Sequence, residues 1–145
     1  MHKVLFVCTA NIFRSRFSEE VYNHLAVRKN IRTKAFSAGL KVGAYTTRKI
    51  YRPALEQLEL LNIIPLRENE LSMHVDDLYL SDYKKIICMD EEEHRPMVEV
   101  NQKLKHRDLE YWNIVDEPKV SGKISLPMCY RKVENLVSKI SMELT

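Results

Sequence analysis

Long apolar runs, paired cysteines, clustered histidines and an excess of one charge are all missing from this chain. No apolar stretch approaches about 18 residues, so no membrane-spanning helix is expected. The short N-terminal apolar run is broken by Thr9 and Asn11, which makes it a poor secretory leader. Three cysteines, at positions 8, 88 and 129, form no CxxC pair. An odd, unpatterned set fits a reducing compartment better than a disulfide framework, and the expected location is the cytoplasm. The histidines at 2, 24, 74, 94 and 106 show no zinc spacing, so neither a metal nor another cofactor is expected. With 23 basic and 20 acidic residues the net charge is +3, too balanced to argue for nucleic acid. No repeat, low-complexity tract or linker interrupts the 145 residues, which suit one domain over 1–145.

What is present is an alternation of strand and helix signals. Lys3 to Val7 is a continuous apolar run that reads as a buried strand. Phe17, Val21 and Leu25 recur at helical spacing from a start near Ser15 to about Arg28. Thr33 to Ser37 is a second strand, closed by Ala38-Gly39, and Pro53 fits the first turn of a second helix that Asn62 ends. Lys84 to Met89 is a third strand, Asp90 caps a polar helix to about Lys103, and Leu109 to Ile114 is a weaker fourth strand. Ser125 to Leu144 is a long terminal helix with one apolar face. This order predicts an α/β fold: a three-layer sandwich with a central, mostly parallel four-stranded sheet and helices on both faces. In such sheets ligands sit beyond the carboxyl ends of the strands, where Cys8, Asp90 and Asp116 would gather.

The segment Val7-Cys8-Thr9-Ala10-Asn11-Ile12-Phe13-Arg14-Ser15 leaves the first strand and enters the first helix. Such a segment turns several backbone N–H groups toward one point, a phosphate cradle reinforced by the helix dipole. It contains no glycine, which argues against a Walker-type loop. Oriented amides and a nearby cation favour a thiolate over a thiol, so Cys8 is a candidate nucleophile rather than core filling. The planar fork of Arg14 can hold two phosphoryl oxygens. Ser15 can donate to the sulfur, and Asn11 can hold a left-handed turn that bends the loop.

These residues, with SEEVYNHLA, FSAGL, IICMDEEEH and WNIVDEP, resemble the low-molecular-weight protein tyrosine phosphatase family over most of the chain. The acid-then-proline irregularity and the MDEEEH segment are similar to a bacterial branch of it. The resemblance implies a metal-free enzyme that forms a cysteinyl-phosphate, with Cys8 as nucleophile, Arg14 on the phosphoryl oxygens and Asp116 as general acid. Thr9, Ala10, Asn11, Ile12, Phe13 and Ser15 would form the phosphate loop. Tyr45, in the basic and aromatic loop 41–52, would line the substrate crevice. Three departures stand out: Ala10 where the family usually has glycine, Phe13 where a second cysteine is common, and Glu117 between Asp116 and Pro118 as a competing acid.

The expected partner is a phosphorylated protein or other aryl phosphate, with no nucleic acid or membrane, and the expected state is a monomer. Two rivals stay open. A thioredoxin-coupled arsenate reductase would need relay cysteines, for which Cys88 is the one plausible position, with Arg95 where the second would fall. A non-catalytic phosphate-binding module would keep the cradle and lose the acid.

Overall fold

The computed structural model describes residues 3–43 and 48–144. Its first strand, β1 (Lys3–Cys8), alternates faithfully: Val4, Phe6 and Cys8 face one apolar cluster, Leu5 and Val7 the other. A strand buried on both faces needs a continuous apolar run, and Val4 to Val7 supplies it. β2 (Ala35–Gly39) and β3 (Tyr83–Cys88) pair with β1 on its two sides, and β4 (Glu110–Tyr111) pairs with β3. All three pairings are parallel, in the order β2-β1-β3-β4.

Helices α1 (Arg14–Arg28), α2 (Arg52–Leu60) and α4 (Gly122–Glu143) cover one face, where Phe17, Val21, Leu58, Leu126, Val133 and Val137 are buried. Helix α3 (Glu91–Glu99) and two short 3-10 turns cover the other through Val98, Val75 and Leu80. The fold is therefore the expected three-layer α/β sandwich. Among the described residues no helix is long and apolar enough to cross a membrane.

Several boundaries shift for local reasons. Helix α3 stops at Glu99, because the Asn101 side chain takes the N–H groups of Lys103 and Leu104 at 3.0 Å each and starts a separate turn. Helix α4 starts at Gly122, since Ser121 Oγ accepts the Lys123 N–H at 3.2 Å. β4 is only two residues long, although Trp112 and Ile114 still donate to the Cys88 and Met89 carbonyls at 2.8 Å. Helix α1 is buried on more than one face: Ser18, Glu19 and Glu20 are enclosed with Phe17 and Val21. Their partners make this tolerable. Glu20 accepts from the Leu66 and Arg67 N–H groups, and Glu19 pairs with Ser37 and Arg67.

The strand order places the site. β1 has β2 on one side and β3 on the other, so the crevice opens at its carboxyl end, at Cys8. Gly39 lies opposite Cys8 in the register, and a Cβ there would meet the Thr9 carbonyl oxygen at 2.6 Å. The Thr9 carbonyl accepts the Lys41 N–H at 2.8 Å, which pins the loop against this glycine. Gly39→Ala is expected to lower stability by roughly 1–3 kcal/mol and to weaken phosphate binding. Calorimetric melting with phosphate titration checks this; an unchanged midpoint with full phosphate affinity contradicts it.

Candidate active site

Between β1 and α1 the chain turns through Asn11, whose φ of 58° puts it in the left-handed region. Ala10 is not among the positive-φ residues, so the position where the family usually has glycine does not demand one here. Asn11 Oδ1 accepts the Met73 backbone N–H at 3.0 Å, which fixes the amide and sends Nδ2 to Ser15 Oγ at 2.9 Å. Ser15 Oγ is thereby an acceptor for Asn11, and its own hydrogen is available to Cys8 Sγ, 2.9 Å away. The Asn11 N–H also donates to Sγ, at 3.2 Å. Helix α1 has no side-chain N-cap, leaving its first N–H groups for an anion in front of the sulfur.

Arg14 opens α1 and is 1% exposed. Its Nη1 donates to the Ile114 carbonyl at 2.8 Å, and its Nη2 to Glu93 at 3.0 Å and Asp116 at 3.3 Å. Burial by itself would lower the Arg14 pKa, but the charges of Cys8, Asp116 and Glu93 raise it above its ordinary value. Glu93 in turn accepts from Thr9 Oγ1 and lies 3.1 Å from His94 Nε2. His94 is fully buried, and its Nδ1 accepts the Asp90 backbone N–H at 3.1 Å, which leaves the ring hydrogen on Nε2. Burial works against the Glu93 carboxylate, yet hydrogen bonds from His94, Arg14 and Thr9 hold it far below the usual carboxylate range.

Asp116 and Glu117 make different contacts. Asp116 Oδ2 faces Arg14, and Oδ1 accepts the Glu117 N–H at 2.8 Å. Glu117 Oε2 instead accepts the Gly122 N–H at 3.1 Å, capping α4. A cavity of about 350 Å³ gathers Cys8, Arg14 and Asp116 with the apolar walls Ile12, Phe13, Tyr51 and Pro118. Phe13 is 6% exposed and packs edge-on to Tyr51 at 5.5 Å; a Cβ on Gly122 would strike its ring at 2.7 Å. Phe13 is thus wall filling, matched to a glycine.

Of the residues singled out from sequence, Cys8, Thr9, Ala10, Ile12, Phe13, Arg14 and Asp116 line this cavity, and Asn11 and Ser15 brace it from behind. The Thr9 hydroxyl is turned to Glu93 and His94. Tyr45 lies outside the described residues. Tyr51, six positions on in the same basic and aromatic loop, supplies an aromatic wall. Glu93 and His94, within the polar helix that follows Asp90, are two further site residues that the sequence does not single out. Asp90 makes no side-chain cap on α3, contrary to its N-cap reading. Cys88 and Cys129 are fully buried, and burial pushes both thiols up to about 12, which suits neither for a thiol relay.

The chain matches the family model described as low molecular weight phosphotyrosine protein phosphatase over residues 3–145. No curated protein sequence matches it. Among solved structures, YfkJ from Bacillus subtilis is 24% identical with a TM-score of 0.85, covering 100% of this chain and 98% of that one. A low molecular weight phosphotyrosine phosphatase from Vibrio cholerae O395 (VcLMWPTP-2) is 17% identical with a TM-score of 0.81, at 99% coverage of both chains. An arsenate reductase from Archaeoglobus fulgidus is 21% identical with a TM-score of 0.68, covering 93% of this chain and 98% of that one. At these identities the structural likeness is one of fold.

If Glu93 acts by holding Arg14, Glu93→Ala weakens binding of inorganic phosphate by about tenfold or more, about 1.4 kcal/mol. In an Arg14→Ala background it causes no further loss. Titration calorimetry on the four proteins of this cycle checks it; equal losses in both backgrounds contradict the coupling.

Proposed function

The chain belongs to the low molecular weight phosphotyrosine protein phosphatase family, and we propose that Cys8, Arg14 and Asp116 carry its two-step hydrolysis. As a member it is a cysteine-dependent phosphatase acting on phosphorylated substrates, tyrosine phosphate first. The observation that supports these assignments is the convergence of a hydrogen-bonded sulfur, a buried guanidinium and a carboxyl on one cavity.

In the first step Cys8 Sγ attacks phosphorus, the ester P–O bond breaks, and Asp116 gives its proton to the departing phenolic oxygen. In the second, water attacks the phosphocysteine and loses a proton to Asp116; the P–S bond breaks and inorganic phosphate leaves. Arg14 serves both transition states with the N–H groups that Ile114 and Glu93 leave free. Its contact with Asp116, the longest of the three, is the one a phosphoryl oxygen can replace, which frees the acid. The apolar walls of Ile12, Phe13, Tyr51 and Pro118 favour a flat aryl group over a small alkyl ester. We assign the chain to a single domain over residues 1–145, working as a monomer. The cytoplasm fits its three free thiols.

Turnover of an aryl phosphate tests this reading. Cys8→Ser should abolish it, and Asp116→Asn should lower kcat by about 10²–10⁴, most for substrates with poor leaving groups. Glu117→Gln should stay within about threefold of wild type, since its carboxylate caps a helix. An inert wild type, or an active Cys8→Ser variant, overturns the mechanism. A Glu117→Gln loss as deep as that of Asp116→Asn reverses the choice of acid.

A further inference from the structure

Beside the catalytic cavity lies a second cleft of about 570 Å³, between the start of α3 and residues 115–119. Among the described residues it is lined by Asp90, Glu92, Glu93, Asp116 and Glu117, with Lys119 the one cation. Asp116, Glu117 and Pro118 line both spaces, so a single ridge separates the cleft from the catalytic cavity. A substrate polypeptide that delivers a phosphorylated residue to Cys8 must lay its flanking residues over such a ridge.

Three of the five carboxylates are occupied. Glu93 holds Arg14, Asp116 shares that guanidinium, and Glu117 caps α4. Asp90 is different. It is only 7% exposed, yet its side chain makes no hydrogen bond or ion pair among the described residues, and it does not cap the helix it precedes. Burial first, and then the neighbouring Glu93 charge, push its carboxyl above its ordinary value. A carboxylate that accepts no hydrogen bond from the protein keeps its acceptor sites for an arriving cation. Lys119 forms no ion pair with it among the described residues, and Glu92 stands exposed and unengaged on the same wall. Among the described residues no acidic group converges as a metal ligand set, so a cation that brings its own donors suits this wall better than a metal ion.

We propose that this cleft binds a lysine or arginine side chain of the substrate polypeptide, close in sequence to the phosphorylated residue. The proposal rests on the phosphatase reading and adds a selectivity to it. Asp90 supplies the buried acceptor, Glu92 the outer one, and the fixed charges of Glu93 and Glu117 exclude acidic flanks.

The test compares two phosphotyrosine peptides of equal length, one with lysine and arginine flanking the phosphotyrosine and one with glutamate there. p-Nitrophenyl phosphate reports the catalytic cavity alone. The basic peptide should have a kcat/KM about tenfold higher at low ionic strength, and the advantage should shrink with added salt. Asp90→Asn and Glu92→Gln should each reduce that ratio, and together bring it near unity. Equal kcat/KM values for the two peptides in wild type, a preference for the acidic one, or a preference untouched by both substitutions overturns the proposal. Binding of the same peptides to the Cys8→Ser variant reads the preference without turnover. A failure to hydrolyse p-nitrophenyl phosphate is therefore distinct from a failure of the cleft.

Discussion

A guanidinium that is 1% exposed has to be neutralised and hydrogen-bonded within the protein, and much of the architecture answers to that demand of Arg14. Burying such a cation without partners would cost several kcal/mol. Its partners come from three places in the chain: Glu93 in the first turn of α3, the carbonyl of Ile114 after β4, and Asp116. The N-terminal loop and the C-terminal half are thus tied together at one side chain. Thr9 and His94 complete the hold on Glu93, so Thr9, which follows Cys8, and Arg14 share an anchor. A phosphate binding there meets a cation whose direction is already fixed, which is where electrostatic stabilisation is most effective.

The second constraint is the left-handed turn at Asn11. One amide reads the Met73 backbone on one side and Ser15 on the other, and Ser15 passes the result to Cys8. This explains why a loop without glycine can still curl. The positive φ falls on Asn11, which tolerates it, and Ala10 is spared. The close approach that a glycine does serve falls at Gly39, on the neighbouring strand β2. Phe13 shows a similar exchange. It fills the wall against Tyr51, and Gly122 at the start of α4 makes room for its ring.

The order of elements and the site's centre were legible because they rest on local patterns. Alternation along Lys3 to Val7, helical spacing at Phe17 and Val21, and a cysteine at a strand end are all short-range signals. Asp116 was legible through the resemblance of WNIVDEP to the family's acid segment, although Glu117 separates it from Pro118. What stayed hidden depends on contacts distant in sequence. Glu93 reaches residues 79 and 84 positions away, and nothing within EEEH distinguishes it from the acids beside it. His94 looks like a solvated helix residue until α3 is laid on the sheet and Asp90 offers it an N–H. Asp90 shows the opposite error. An N-cap position was expected to use the carboxylate, and His94 takes over the local bonding instead. Sequence favours Asp116 over the adjacent Glu117; the structure adds that the Gly122 N–H occupies the Glu117 carboxylate, which supports the same choice.

The central claim is that phosphorus is transferred to Cys8 before water arrives. The most direct measurement is acid quenching of the enzyme within its first turnover of an aryl phosphate, followed by mass spectrometry of its peptides. The account predicts one phosphoryl group on the peptide that carries Cys8, together with a burst of phenol release matching the enzyme concentration. Steady turnover with no phosphocysteine at any quench time, or a phosphoryl group on another residue, would contradict it.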